Sequence, residues 1–417
     1  MSGPSSRRAF RDRTRARARR RVVPALCLPL CLSAWLWAGA AIASAQAAQP
    51  SPGTMFDIAA PMAILTEAES GEVLWAKDAD RRHPPASLSK LMQLLIVMEE
   101  LDAGRVSLSD KVTASHRAAT FGGSSMWVKE GEVFTVDELL KGVAVASAND
   151  ASVMLAEFLS GTEERFVEAM NRRAKQLGLK NTHFVNSMGL PVPGGQGNYS
   201  SAADLAVISR ELLKHPRILR YTSLRSWTIR GGRNIFTNTN HLLERYPGAD
   251  GLKTGHTEEA GWCLAATAHR DGLRLIAVVL DAGSDEGRVA QSAALLDYGF
   301  NHFTRVRVMR KGDRVATFDV PRGGRPVVAV AGRDIAVVEE RGKRPAVKAL
   351  FTRRPGLRPP IRPGDEVGTV RLQLPNGRRT ASVPVVAAHE VKRANPVVNF
   401  FLALGRWLLH LITLGRR

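Results

Sequence analysis

Apolar positions run almost without interruption from Leu91 to Met98, directly after Pro84-Pro85-Ala86-Ser87-Leu88-Ser89-Lys90. Prolines cannot continue a helix but readily precede one, so this run predicts a buried helix beginning near Ser87. Upstream, the stretch from Ala63 to Trp75, broken by Glu69-Ser70-Gly71, reads as strand, turn, strand. Helical patterns follow at Asp137–Ala146, Ala151–Leu159, Glu163–Leu177 and Ala202–Leu213, with glycine- and proline-rich loop from Val185 to Ser201. Two apolar runs, Trp262–His269 and Leu273–Asp281, flank Arg270-Asp271-Gly272, and Asp-Gly in that setting predicts a hairpin. Arg288 to Phe300 reads as a closing helix. Strands at both ends with helices between them predict an α/β unit, one antiparallel sheet packed with a helical cluster.

The texture changes after Phe303. Short β-like runs, among them Arg305–Val308, Val315–Phe318, Val327–Val330 and Val367–Leu372, alternate with Gly, Pro and charged turns, which predicts a small all-β domain over residues 304–393. In the last stretch, residues 394–417, Asn399, Arg406, His410, Thr413 and Arg417 fall on one narrow helical stripe, and apolar side chains cover the rest. This is the pattern of an amphipathic helix lying in a bilayer interface.

Charge sharpens both ends. Residues 1–45 carry nine Arg and one Asp, residues 304–417 carry 24 Lys/Arg against 8 Asp/Glu, and the stretch between carries 26 against 30. The middle is therefore mildly acidic, and the basic excess of the final quarter is expected to face anionic lipid rather than nucleic acid. Arginines from Arg7 to Arg21, an apolar stretch from Val22 to Ile42 and Ala43-Ser44-Ala45 have the layout of a secretory signal, residues 1–45. An uncleaved membrane anchor is the alternative for this segment. Cys27 and Cys31 lie inside it, so the exported chain from residue 46 keeps only Cys263, and no internal disulfide or cysteine metal site is expected. No His, Asp or Glu grouping has metal-ligand spacing, and no cofactor is expected.

Ser87 and Lys90, three residues apart, share one helix face. A serine hydroxyl is a poor nucleophile until a base removes its proton, and a lysine held among apolar side chains can be neutral enough to do so. The pair alone is a weak signal, equally compatible with a helix cap followed by a surface lysine. Two more motifs follow in order: Ser147-x-Asn149 between two apolar helical patterns, and Lys253-Thr254-Gly255-His256 leading into the apolar strands.

This ordered set resembles the penicillin-recognising serine hydrolases, most closely the low-molecular-weight penicillin-binding proteins that act as serine-type D-alanyl-D-alanine carboxypeptidases. The resemblance covers residues 60–303, and the β domain with the amphipathic tail extends it. It implies a β-lactamase/transpeptidase-like fold for residues 46–303 and a peptidoglycan stem peptide as substrate, with β-lactams as acylating inhibitors. Ser87 would attack the carbonyl between two D-alanines, Lys90 would take its proton, and Ser147 would relay a proton to the leaving group. Asn149 would hold Lys90 and the substrate amide, and Lys253, Thr254 and Gly255 would form the sheet-edge wall. The backbone N–H groups of Ser87 and His256 would make the oxyanion hole. Arg288, 35 residues after Lys253, would receive the terminal carboxylate. Many relatives read His-Gly-Leu-Asp where this chain has Met188-Gly189-Leu190-Pro191, so the aspartate's hydrogen bond is missing from that loop. A peptidoglycan D,D-endopeptidase, a β-lactamase and a non-catalytic wall-binding scaffold are the competing readings. The expected place of work is the periplasm or the outer face of the cytoplasmic membrane, with peripheral attachment.

Overall fold

The computed structural model describes residues 56–374, 380, 382–394, 397, 400 and 401. The predicted export segment, residues 1–45, and most of the predicted tail helix lie outside the described residues. The predicted hairpin forms as β1 (Met62–Glu67) and β2 (Val73–Lys77). A single turn of 3₁₀ helix, Ala86–Ser89, then runs into α1 (Lys90–Asp102). The loop-like stretch that follows holds β3 (Lys111–Thr113), α2 (His116–Thr120) and β4 (Val133–Thr135). The helical cluster is completed by α3 (Val136–Val145), α4 (Asn149–Ser160), α5 (Glu163–Gln176) and α6 (Ala202–Leu213). After the short α7 (Leu219–Thr222), a hairpin of β5 (Ser226–Ile229) and β6 (Asn234–Thr237) and one turn of α8 (Leu242–Arg245), the chain re-enters the sheet. It does so as β7 (Ala249–Thr257), β8 (Gly261–Arg270) and β9 (Leu273–Leu280), and α9 (Asp285–His302) closes the unit.

The five strands pair antiparallel in the order β2-β1-β9-β8-β7, which leaves β7 at an edge. The β8–β9 turn has Asp271 and Gly272 both at positive φ, the backbone that an Asp-Gly hairpin turn needs. Both faces of the sheet are covered. Ile276, Val278 and Leu280 of β9 pack into the core shared with α1, α3, α4 and α6, whereas Leu275, Ala277 and Val279 pack with Leu295, Leu296 and Phe300 of α9. Burial on two sides removes the apolar–polar alternation, which is why the strands read as unbroken hydrophobic runs.

Hydroxyl side chains cap α3, α5, α6 and α9 at Thr135, Thr162, Ser201 and Ser284, and Thr135 with Glu138 forms a full capping box. The helices α1 and α4 lack such caps. Their cap positions are Ser89 and Ala148, and Lys90 and Asn149 are the first helical residues that follow.

From Phe303 to Ala387 the regular elements are strands: β10 (Phe303–Met309), β11 (Arg314–Phe318), β12 (Val327–Ala331), β13 (Ile335–Glu340), β14 (Lys348–Arg353), β15 (Glu366–Gln373) and β16 (Val383–Ala387). A β10–β13 ribbon accompanies a sheet of order β11-β12-β16-β15-β14, with its own core of Val327, Ala329, Val367, Val370 and Val385. Among the described residues no helix is long and apolar enough to cross a membrane. Val397, Phe400 and Phe401, the last ones described, are helical in part and exposed.

Three helix starts differ from the sequence expectation. The α-helix expected near Ser87 begins only at Lys90, because the two prolines feed a tighter 3₁₀ turn first. Residues three apart eclipse in such a turn, which stacks Lys90 on Ser87 more directly than an α-helix would. The helix expected from Ala151 begins at Asn149, and the closing helix begins at Asp285 rather than Arg288.

Candidate active site

Ser87 lies in the 3₁₀ turn and is half-buried, while Lys90 is fully buried beneath it. The Lys90 Nζ donates to Ser87 Oγ at 2.9 Å, to Asn149 Oδ1 at 2.8 Å and to the Met188 carbonyl at 3.3 Å. Burial pulls the ammonium down from its ordinary range to about 7, against an opposing pull from the Asp150 carboxylate. A lysine that loses its proton near pH 7 and touches a serine hydroxyl is equipped to take that hydroxyl's proton. Ala86, just before Ser87, has φ of 47°, a left-handed backbone that a packed surround must hold.

Asn149 is fixed from the other side. Its Nδ2 donates to the Gly122 carbonyl at 2.8 Å and its backbone N–H to Ser124 at 2.7 Å, so residues 122–124 lie against it. Ser147 sits in the tight α3–α4 turn, buried and with φ of 57°. Asp150, which sequence reasoning passed over, accepts from the N–H groups of Met126 at 2.9 Å and Val128 at 3.2 Å and from Ser125 Oγ at 2.5 Å.

The third wall is the edge strand β7. Gly255 packs on the Ser87 turn so closely that a Cβ there would stand 2.8 Å from the Pro85 carbonyl oxygen and 3.2 Å from the Leu88 nitrogen. Lys253 is buried, with its Nζ 3.0 Å from the Thr254 carbonyl. Burial, with the like charges of Lys90 and Arg288 nearby, holds its ammonium well below the usual lysine range. The Thr254 hydroxyl meets that of Thr239 at 2.6 Å. His256 is exposed and its ring packs on Trp262 at 3.9 Å between centroids.

Arg288 is 4% exposed and lies under β7. It donates to the carbonyls of Gly255, Cys263 and Thr239 at 3.2, 3.3 and 3.4 Å, pairs with Asp285 and sits 4.9 Å from the Trp262 ring centre. Asp285 also holds His241 Nδ1 at 3.0 Å, a second partner that the sequence did not announce. Cys263 is buried and its thiol is pushed up to about 12 by desolvation, which makes it inert.

The loop that lacks the expected aspartate is held by other means. Asn186 Oδ1 accepts from the N–H groups of Gly189 at 2.7 Å and Leu190 at 3.2 Å, and its Nδ2 donates to Leu190 at 2.8 Å. Asn198 ties Val185 and Asn186 to Ser89 of the Ser87 turn. Buried Glu163 accepts from the N–H and hydroxyl of Ser187 and pairs with Arg117. This carboxylate secures the loop whose Met188 carbonyl receives Lys90, so it is engaged in structure.

A serine hydroxyl against a buried lysine amine whose pKa is brought to about 7, with a strand edge beside them, is equipment suited to a hydrolase working through an acyl-enzyme. Residues 44–284 match the family model of the D-alanyl-D-alanine carboxypeptidases, Peptidase_S11, and residues 303–393 match that of the penicillin-binding protein 5 C-terminal domain. The D-alanyl-D-alanine carboxypeptidase DacF of Bacillus subtilis is 39% identical over 353 residues, 84% of this chain and 90% of that protein. A crystal structure of PBP3, a peptidoglycan synthesis regulatory factor from Streptococcus pneumoniae, aligns with a TM-score of 0.73 at 32% identity, over 81% of this chain and all of that one. Penicillin-Binding Protein D2 of Listeria monocytogenes in its ampicillin-bound form aligns with a TM-score of 0.54 at 36% identity, over 59% of this chain and all of that one. The chain belongs to the serine D-alanyl-D-alanine carboxypeptidase family, the low-molecular-weight penicillin-binding proteins.

Proposed function

We propose that this carboxypeptidase removes the terminal D-alanine of peptidoglycan stem peptides through an acyl-enzyme on Ser87. Lys90 takes the Ser87 proton as Oγ attacks the carbonyl between the two D-alanines. The tetrahedral oxyanion is held by the backbone N–H groups of Ser87 and His256, a donor pair of a kind whose loss costs on the order of 10²–10³ in rate. Ser147 passes the proton to the leaving D-alanine nitrogen, the C–N bond breaks, and water then hydrolyses the ester. Asn149 steadies Lys90 and the substrate amide, while Lys253, Thr254 and Gly255 align the peptide along β7. Arg288 attracts the terminal carboxylate. Its three carbonyl contacts are long, so a carboxylate competes for those donors on favourable terms.

The observation that carries the reading is the buried Lys90 amine, 2.9 Å from Ser87 Oγ and 2.8 Å from Asn149 Oδ1. Residues 46–303 form the catalytic domain, and residues 304–393 a separate all-β domain. The tail whose sequence predicts an amphipathic helix, residues 394–417, attaches the exported protein peripherally to an anionic membrane surface, and β-lactams acylate the same serine. Labelled penicillin should modify wild-type protein at Ser87 and leave Ser87→Ala unlabelled, and equal labelling of both discards the assignment.

A further inference from the structure

A widely exposed tryptophan follows closely on a segment that packs against Asn149. Trp127 is 65% exposed, although tryptophan usually hides most of its area. Its φ of 55° is left-handed, a conformation that a bulky residue adopts only when its surroundings impose it. Those surroundings are explicit. The Trp127 N–H donates to Ser125 Oγ at 2.7 Å, Arg230 donates to the carbonyls of Met126 and Trp127 at 3.0 and 2.9 Å, and Glu132 pins Arg230 at 2.8 Å. On either side, the Met126 and Val128 N–H groups go to Asp150. The indole packs at 5.6 Å and 25° on Phe236, which packs at 5.9 Å and 27° on Trp227.

The chain segments that bear the stack lead into both sides of the cleft. Trp127 follows the 122–124 segment that lies against Asn149, and Phe236 is three residues from Thr239, which meets Thr254 of the sheet edge. An exposed, strained indole contributes little to stability, and its orientation is fixed in advance of any ligand. Preorganisation of this kind favours binding of a flat, largely uncharged group.

Resting on the reading above, in which the substrate peptide hangs from a glycan, we propose that the Trp127 face is a saccharide subsite taking an N-acetylated hexosamine ring of that glycan. A pyranose ring presents C–H groups on a face, which suit an indole, and hydroxyls at its edge, which stay in water. The glycan is the part of the substrate that reaches beyond the scissile peptide, and the segments that bear the stack lead into the cleft proposed to hold that peptide.

The test compares two substrates of the full-length enzyme: a sugar-free diacetyl-lysyl-D-alanyl-D-alanine peptide and a disaccharide-linked stem peptide ending in D-alanyl-D-alanine. The readout is the ratio of kcat/KM for the second to that for the first. Trp127→Ala should lower this ratio roughly three- to tenfold, the scale of one aromatic stacking contact, and Trp127→Phe should restore most of it. An unchanged ratio in Trp127→Ala, whether both rates hold or both fall together, overturns the subsite. Penicillin labelling of each variant at Ser87 is scored separately, so failure of the acyl-enzyme reading is distinguishable from failure of the subsite.

Discussion

Asn149 and Asp150, consecutive in the first turn of α4, send their side chains to different partners: Asn149 to Lys90 at 2.8 Å, Asp150 to the N–H groups of Met126 and Val128. One helix start therefore holds both Lys90 and the loop beside it. Asp150→Ala would leave two buried N–H donors without their acceptor and should cost about 3 kcal/mol, read as a lower urea midpoint. Asp150→Asn keeps one acceptor oxygen and should cost less. Because the Asp150 charge raises the Lys90 pKa, both variants should also move the acid limb of the pH–rate profile to lower pH.

Lys90 makes the pH dependence itself predictable. As the proposed base, the amine acts only when deprotonated, and burial brings its pKa to about 7, so acylation by penicillin should rise with pH through 7 and level off above it. Lys90→Arg keeps the positive charge at every accessible pH and should lose roughly 10²–10⁴ in acylation rate with no such rise. Stopped-flow acylation across pH 5 to about 9 decides it.

Two glycines should fail for different reasons. At Gly255 the clash of an added methyl can be relieved by a small retreat of β7 from the Ser87 turn, so Gly255→Ala should fold, lose about 1–3 kcal/mol and acylate slowly. At Gly189, φ is 85° and a Cβ would stand 1.7 Å from the Ala86 carbonyl oxygen. Gly189→Ala should therefore be the more destabilised of the two by thermal unfolding, and a reversed order would contradict this packing.

Arg288 is tested by the end of the substrate. Arg288→Ala should lower kcat/KM for a peptide with a free terminal carboxylate roughly 10- to 100-fold, the value of charge-assisted hydrogen bonds. The same peptide with an amidated end, poor for the wild-type enzyme, should be much less affected. An equal loss on both would make Arg288 a support for β7 alone.

Removing residues 396–417 should release the protein from vesicles containing anionic lipid, as measured by co-sedimentation. Raising the salt should weaken binding of the full chain, since part of the attraction is electrostatic. A truncated protein that still sediments with the vesicles removes the tail from the attachment.

Much of the architecture was legible because local rules wrote it. Asp271-Gly272 could close only one kind of turn, Ala202–Leu213 began on a serine cap, and the shift to short alternating strands after Phe303 needed no tertiary information. The Ser87–Lys90 pair was legible for the same reason, since three residues of spacing place two side chains together in either helix type.

What the linear chain could not contain was distance. Asp150 and Glu163 are ordinary polar residues until folding sets them against backbone amides, because a hydrogen-bond partner 24 residues away leaves no local mark. The sequence alone determined which residue types and periodicities were present, and so the elements and the candidate nucleophile. Only the tertiary structure decided that Lys90 is stripped of water and brought to a pKa near 7, because desolvation is a property of everything packed around a group and not of the group itself.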